Sequence, residues 1–193
     1  MSSEPSPAPS HPRARRIGGL LIAVLVAFGG VILLLLFFQG RDHSQLSGSR
    51  ATVAGPGHAY PDRGHAHLQA GERPRVRYAS DPPTSGPHVP VAIRADATLL
   101  SDDQILHALE LGDVVLLYGS ARPPAALRAL ARELAGPFDP ALANVGQAVV
   151  LGRRPGTTGV VALAWRHLLR AASAEDPAIE SFAAFWLGRG AQG

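Results

Sequence analysis

Cysteine is absent from the 193 residues, and so is lysine, because all 18 residues counted as Lys plus Arg are arginine. Without cysteine the chain cannot contain a disulfide scaffold, a thiol nucleophile, an iron–sulfur cluster or a cysteine-based zinc site. Without lysine it cannot contain the GxxxxGK phosphate-binding loop. Any metal site must therefore be built from His, Asp or Glu side chains.

Charge is also scarce, since charged residues make up 17 % of the chain and the net charge is only +3. The arginines are scattered rather than clustered on one segment, so the sequence predicts no nucleic-acid partner. Hydrophobic residues make up 46 %, which excludes a disordered polyelectrolyte and permits a packed core. The length suits one ordinary domain plus an appendage.

A long apolar run, Ile17 to Phe38, lies near the N-terminus and contains no charged side chain. A helix of this length spans about 30 Å, the thickness of the hydrocarbon core of a bilayer. The run is longer than the apolar region of a cleavable signal peptide, so we expect a permanent anchor in contact with the lipid bilayer. Arg13, Arg15 and Arg16 precede it directly, which by the positive-inside rule predicts a single pass through the cytoplasmic membrane with the C-terminal part outside.

Composition divides the rest of the chain. Residues 1–16 are rich in Pro and Ser and are predicted to form a disordered cytoplasmic tail. Residues 39–63 show little apolar periodicity and are predicted to form a flexible stalk. Residues 64–190 are predicted to form an extracytoplasmic domain.

Strand-like and helix-like periodicities alternate within that domain and predict an α/β fold with the order β-α-β-α-β-β-α. The predicted elements are a strand at Arg75–Ala79, a helix from the N-cap Ser101 to Gly112, a strand at Val114–Tyr118, a helix from Pro123 to Gly136, a hairpin of Gln147–Leu151 and Val160–Ala164, and a helix at Asp176–Leu187. Such an order suits a small mixed sheet covered by helices and is compatible with a thioredoxin-like topology. Four prolines between Asp81 and Pro90 predict a rigid loop.

Histidines are the residues most capable of chemistry in this chain. In an extended segment His65 and His67 would point to the same side, and on a helix His107 and Glu110 share a face. Imidazole with carboxylate suits zinc, copper, nickel or iron. A solvated surface histidine is the alternative interpretation, and no catalytic residue is predicted, since Ser85 lacks the strand-to-helix elbow of a hydrolase nucleophile.

The motif PPTSGPH at Pro82–His88, followed by a His-x-Leu-Glu helix that leads into an apolar strand, resembles the bacterial family called domain of unknown function 3105. Its members are typically small proteins with one N-terminal membrane helix and an extracytoplasmic domain. Position by position, the family's histidines match His67, His88 and His107, and its acidic residue matches Glu110. The resemblance covers residues 64–190.

The helix departs from the family pattern at two positions. Members usually read HNLEHG where this chain reads HALELG, so Ala108 and Leu111 replace an asparagine and a histidine. The resemblance implies a metal site of His67, His88, His107 and Glu110, in which His65 could replace Glu110. Because Leu111 replaces a histidine, this site has either survived or been lost. If it is lost, PPTSGPH is a stiff structural loop.

Two functions remain open. The first is a membrane-anchored binding or assembly module carrying the histidine cluster, with an unidentified protein partner. The second is a metal-dependent enzyme or a metal-handling protein that uses the same cluster, with zinc or copper as the candidate ion.

Overall fold

Six strands form one mixed sheet in a computed structural model that describes residues 54–192. The strands are β1 (His58–Ala59), β2 (Thr98–Leu99), β3 (Val114–Tyr118), β4 (Val149–Arg153), β5 (Val160–Ala164) and β6 (His167–Ala171), in the sheet order β1-β6-β5-β3-β4-β2. The neighbours β3, β4 and β2 are parallel, whereas β3, β5, β6 and β1 pair antiparallel. Strands β3 and β5 are buried along their whole length, as central strands covered on both faces should be.

Helices cover both faces of this sheet. They are α1 (Asp102–Leu111), α2 (Ala125–Ala135), α3 (Pro140–Ala143) and α4 (Pro177–Trp186). Alternate residues of β3 point to opposite faces, so Val114 and Leu116 pack with α2 and α4, while Val115 and Leu117 pack with α1. The sheet thus has two hydrophobic cores.

Helix α1 has strong signals at both ends. Ser101 accepts a hydrogen bond from the Gln104 amide while the Gln104 side chain accepts one from the Ser101 amide, which is a complete capping box. Gly112 ends the helix with φ of 118°, a conformation that side chains disfavour. These caps fix the position of His107 and Glu110, which lie one turn apart on the helix.

The proline-rich loop between Asp81 and Pro90 is tied to the domain along its length. The Arg166 amide donates to the Thr84 carbonyl at 2.8 Å, and the Val89 amide donates to Asp103 at 3.0 Å. Arg154 joins the start of the loop to α1, because its guanidinium contacts both Asp81 and Asp102. The loop is therefore built into the fold, as its proline content predicts.

Most of the regular elements match the prediction. Helices α1, α2 and α4 and strands β3 and β5 lie where the sequence places them, and Ile179, Phe182, Ala183 and Trp186 are buried on α4 as expected. The α/β class with a mixed sheet is confirmed.

The predicted first strand is wrong. Arg75–Ala79 has no strand structure, and Val76 within it is exposed. The sheet position beside β4 is taken instead by Thr98–Leu99, two residues whose short length gave no periodic signal.

The predicted hairpin is also wrong. Strand β4 begins two residues later than expected and does not pair with β5, because β3 lies between them. The connecting loop passes closely over the end of β3, where a Cβ on Gly119 would meet the Thr157 carbonyl oxygen. The actual hairpin joins β5 to β6, a strand that the sequence did not predict. The thioredoxin-like topology rested on the element order and stays a prediction.

The N-terminal predictions fall largely outside the described residues. The tail 1–16, the membrane helix 17–38 and stalk residues up to 53 are not described, and among residues 54–192 no helix is long and apolar enough to cross a membrane. The last ten residues assigned to the stalk differ from a free linker, since His58 pairs with Leu168 and the Trp186 indole donates to the Pro56 carbonyl.

Asp113, between α1 and β3, provides a test of the core. Its carboxyl is buried, and burial raises its pKa to about 7, although Oδ1 accepts a hydrogen bond from the Ala148 amide. Because the folded state holds this proton more tightly than the unfolded state, the carboxyl lowers the free energy of unfolding as pH rises from about 4 to 7. Asp113→Asn keeps the acceptor oxygen, so it should be more stable than the parent at pH 8, by up to ~4 kcal/mol, and equally stable near pH 4.

The measurement is unfolding of the full chain in mild detergent across this pH range. Glu133→Gln, which removes an exposed carboxylate, is the control and should follow the parent. Equal stability of Asp113→Asn and the parent at pH 8 would contradict the raised pKa of the buried Asp113 carboxyl.

Candidate metal centre

Four side chains converge at one point beside α1: His67, His88, His107 and Glu110. Each can offer one ligand atom such that all four atoms lie within 4.8 Å of one another. Oxygen Oε2 of Glu110 lies 2.9 Å from His67 Nε2, 3.2 Å from His88 Nε2 and 3.9 Å from His107 Nδ1. These are the four residues that the family resemblance singled out.

Backbone pairing brings the first two histidines together. His67 and His88 form an isolated parallel bridge, in which the Leu68 amide donates to the His88 carbonyl and the His88 amide donates to the Ala66 carbonyl. The two ring centroids are consequently 5.3 Å apart. His107 and Glu110 come from α1 and close the cluster from the other side.

His88 is the buried centre of the group, with no exposed side-chain surface. Its Nδ1 lies 3.0 Å from the Gly86 carbonyl oxygen, which can only accept, so Nδ1 carries a proton and donates. In the neutral ring Nε2 is then an unprotonated lone pair, and it is buried without a hydrogen-bond partner. Glu110 Oε2 lies 3.2 Å from this nitrogen, but the contact lacks hydrogen-bond geometry.

His107 also has a buried ring nitrogen without a hydrogen-bond partner. Burial lowers the pKa of His107, and the neighbouring His88 lowers it further, while Glu110 opposes the shift. The lowered pKa favours the neutral ring, and its Nδ1 is buried without a hydrogen-bond partner. In the tautomer with its proton on Nε2, the neutral ring offers a second lone pair to the cluster.

His67 differs from the other members because half of its side chain is exposed. Its Nε2 makes a hydrogen bond with Glu110 at 2.9 Å. It reaches the cluster from a segment in which every residue from 61 to 67 is exposed.

The geometry fits a first-row metal ion. Zinc–nitrogen bonds of about 2.0–2.1 Å place neighbouring ligands of a tetrahedron about 3.4 Å apart. The three distances from Glu110 Oε2 to the imidazole nitrogens lie on both sides of that value. The His88 Nδ1–carbonyl hydrogen bond is also the arrangement that usually orients a metal-binding imidazole.

Polar side chains in and around the loop that carries His88 form hydrogen bonds with backbone groups. The Ser85 hydroxyl accepts from the Arg63 amide and donates to the Pro61 carbonyl, so it has no adjacent base and is not a nucleophile. Tyr78 donates to the Pro87 carbonyl at 3.0 Å. Part of the stiff-loop interpretation is therefore correct, and it is compatible with a metal site because the same loop holds His88.

Two other residues considered from the sequence lie outside the cluster. The His65 ring faces Trp165 at 6.2 Å between centroids, so it does not replace Glu110. Leu111 is partly exposed and contributes no donor. One functional group was missed: the Gly86 carbonyl, a backbone atom for which side-chain patterns give no signal.

The backbone conformation of Gly86 leads to a specific prediction. Its φ is 141°, and an added Cβ would lie 2.7 Å from the Tyr78 ring. Gly86→Ala should therefore destabilise the fold by about 1–3 kcal/mol more than Gly64→Ala, a control with positive φ but no atom within 4 Å of the added Cβ. Thermal unfolding of both variants as full chains measures the difference, and equal melting temperatures would show that the loop does not constrain this position.

Comparison with known proteins agrees with the resemblance read from the motifs. Residues 67–191 match the model of the family described as a protein of unknown function, DUF3105. No curated protein and no solved structure matches the chain. The matched segment begins at His67 and includes all four residues of the cluster. The chain therefore belongs to the DUF3105 family.

Proposed function

We propose that this protein is a single-pass, membrane-anchored binding module whose extracytoplasmic domain holds a transition-metal ion on His67, His88, His107 and Glu110. The observation that carries the proposal is the buried His88 ring. Its Nδ1 is committed to the Gly86 carbonyl, and its Nε2 faces the cluster without a hydrogen-bond partner.

A buried lone pair without a partner is costly, by about 1–3 kcal/mol for each unsatisfied polar group. His88 Nε2 and His107 Nδ1 are two such atoms, and they face a carboxylate that is also an acceptor. Protons could relieve part of this cost, but burial lowers the pKa of His107 and disfavours its cationic form. A divalent cation satisfies all the acceptors at once.

The donor set selects the class of ion. The chain has no cysteine, and its single methionine is Met1, so the cluster contains none of the sulfur donors that favour Cu(I). Three imidazoles and one carboxylate suit Zn²⁺ and Cu²⁺. We therefore take Zn²⁺ or Cu²⁺ as the ion.

Four protein donors favour binding over catalysis. A catalytic zinc keeps a position open for water or substrate, whereas the four donors here complete a tetrahedron. Two clefts on the domain, of 510 and 450 Å³, are lined by other residues. A metal-dependent enzyme is therefore the weaker alternative, and it would require Glu110 to leave the ion.

Membrane anchoring is supported by the sequence. The run Ile17–Phe38 is long enough to span the bilayer and carries no charge, and three arginines precede it within four residues. The metal domain would follow this anchor on the outer side of the cytoplasmic membrane.

Metal content is the direct test. The full chain, purified in mild detergent and dialysed against Zn²⁺ or Cu²⁺, should retain about one ion, and loading should raise its melting temperature, since a ligand that binds only the folded state stabilises it. His88→Ala should lose the ion and the thermal shift. His65→Ala, which removes a nearby histidine outside the cluster, should retain both. Metal-free parent protein, or equal metal content in all three proteins, would overturn the proposal.

Orientation is tested separately with reporter fusions after Gly193. A periplasmic-type reporter should be active and a cytoplasmic reporter silent, because Arg13, Arg15 and Arg16 retain the N-terminus in the cytoplasm. Replacing these three arginines with glutamate is the matched variant and should reduce the asymmetry. Activity of the cytoplasmic reporter in the parent would refute the outward orientation.

A further inference from the structure

We infer that the metal ion is exchangeable cargo, and that His67 is the ligand that detaches while His88, His107 and Glu110 form a fixed three-ligand platform. This inference rests on the proposed metal site and adds how the ion enters and leaves it. It assigns the protein to metal handling rather than to a domain that uses metal only as a structural cross-link.

Exposure separates the four ligands into two groups. The side chain of His67 is 50 % exposed, whereas those of His88, His107 and Glu110 are 0 %, 18 % and 14 % exposed. Structural zinc sites are closed by all their ligands. Here one ligand forms the solvent side of the site and three form its protein side.

The two groups also differ in how they are held. His88 is fixed by its own ring hydrogen bond, by Tyr78 on the Pro87 carbonyl, and by Asp103 on the Val89 amide. His107 and Glu110 lie on a helix with caps at both ends, whose buried face packs on the sheet. The platform ligands therefore need no rearrangement to keep the ion.

His67 has fewer attachments. Residues 61–67 are exposed. Beside His67 the chain is held by two backbone bonds, from Leu68 to the His88 carbonyl and from His88 to the Ala66 carbonyl, and farther along the segment Ser85 bonds to the Arg63 amide and the Pro61 carbonyl. Segments with little buried surface open at low free-energy cost. The ring can therefore leave the ion by rotation or by local opening, without unfolding the sheet.

Exchange then follows by ligand substitution. A donor atom of an incoming acceptor forms one bond to the ion as the bond to His67 Nε2 breaks, and the released imidazole stays neutral, so no electron or proton is required. With a divalent ion, the single carboxylate of Glu110 leaves one positive charge on the site. Acceptors with anionic carboxylate donors are therefore the chemical class to which the site should pass its ion.

Transfer kinetics test this mechanism. The Zn²⁺-loaded full chain in detergent is mixed with a pyridylazo chelator, and the absorbance of the chelator complex is followed. For the parent, the transfer rate should rise with chelator concentration, because the chelator displaces His67. His67→Ala should still bind one Zn²⁺ with at least tenfold weaker affinity and release it at least tenfold faster at low chelator concentration.

Three variants complete the design. His88→Ala should bind no Zn²⁺, His65→Ala should transfer at the parent rate, and His67→Asp, which restores a donor, should return toward the parent rate. The inference is overturned if His67→Ala is as empty as His88→Ala, or if the parent's transfer rate does not depend on chelator concentration. A parent that binds no Zn²⁺ would instead overturn the metal site itself, and with it the exchange.

Discussion

The hydrogen bond from His88 Nδ1 to the Gly86 carbonyl is the constraint on which the site depends. It sets the tautomer of a fully buried ring and leaves Nε2 as a lone pair aimed at two other imidazoles and a carboxylate. The proline-rich loop maintains this bond, because it fixes the Gly86 carbonyl and the His88 ring within one short segment. The chemistry of the site is thus a consequence of backbone geometry in a loop.

Local signals in the sequence predicted the frame around that loop. Ser101 and Gly112 mark the ends of α1, and the runs Val114–Tyr118 and Val160–Ala164 mark the central strands. These features depend on residues close in sequence, such as caps, turn residues and apolar runs. Pairing between distant strands has no such signal, and so the loop that carries the chain across β3 was mistaken for a hairpin turn. The true turn at Trp165–Arg166 also lacks the Asn-Gly or Asp-Gly pair that usually marks one.

The composition of the candidate site was predicted from the family resemblance, while its arrangement was not. Spacing placed His107 and Glu110 on one helical face, but the bridge between His67 and His88 joins segments 21 positions apart and needed the structure. The unequal exposure of the four ligands could not be predicted from the sequence either, because it depends on which residues pack around each side chain. That inequality is what separates an exchange site from a structural one.

Leu111 bears on whether this divergent member keeps the site of its family. On a helix, positions 107 and 111 share a face, so the family's histidine at 111 would have been a plausible donor beside His107. In this chain Leu111 is partly exposed, and Glu110 Oε2 lies within 3.9 Å of all three imidazole nitrogens. The carboxylate therefore supplies the fourth donor without help from position 111, and it adds a negative charge that an imidazole would not. Loss of the histidine removes one candidate neutral donor, while the three imidazoles and the carboxylate that can hold a divalent ion remain together.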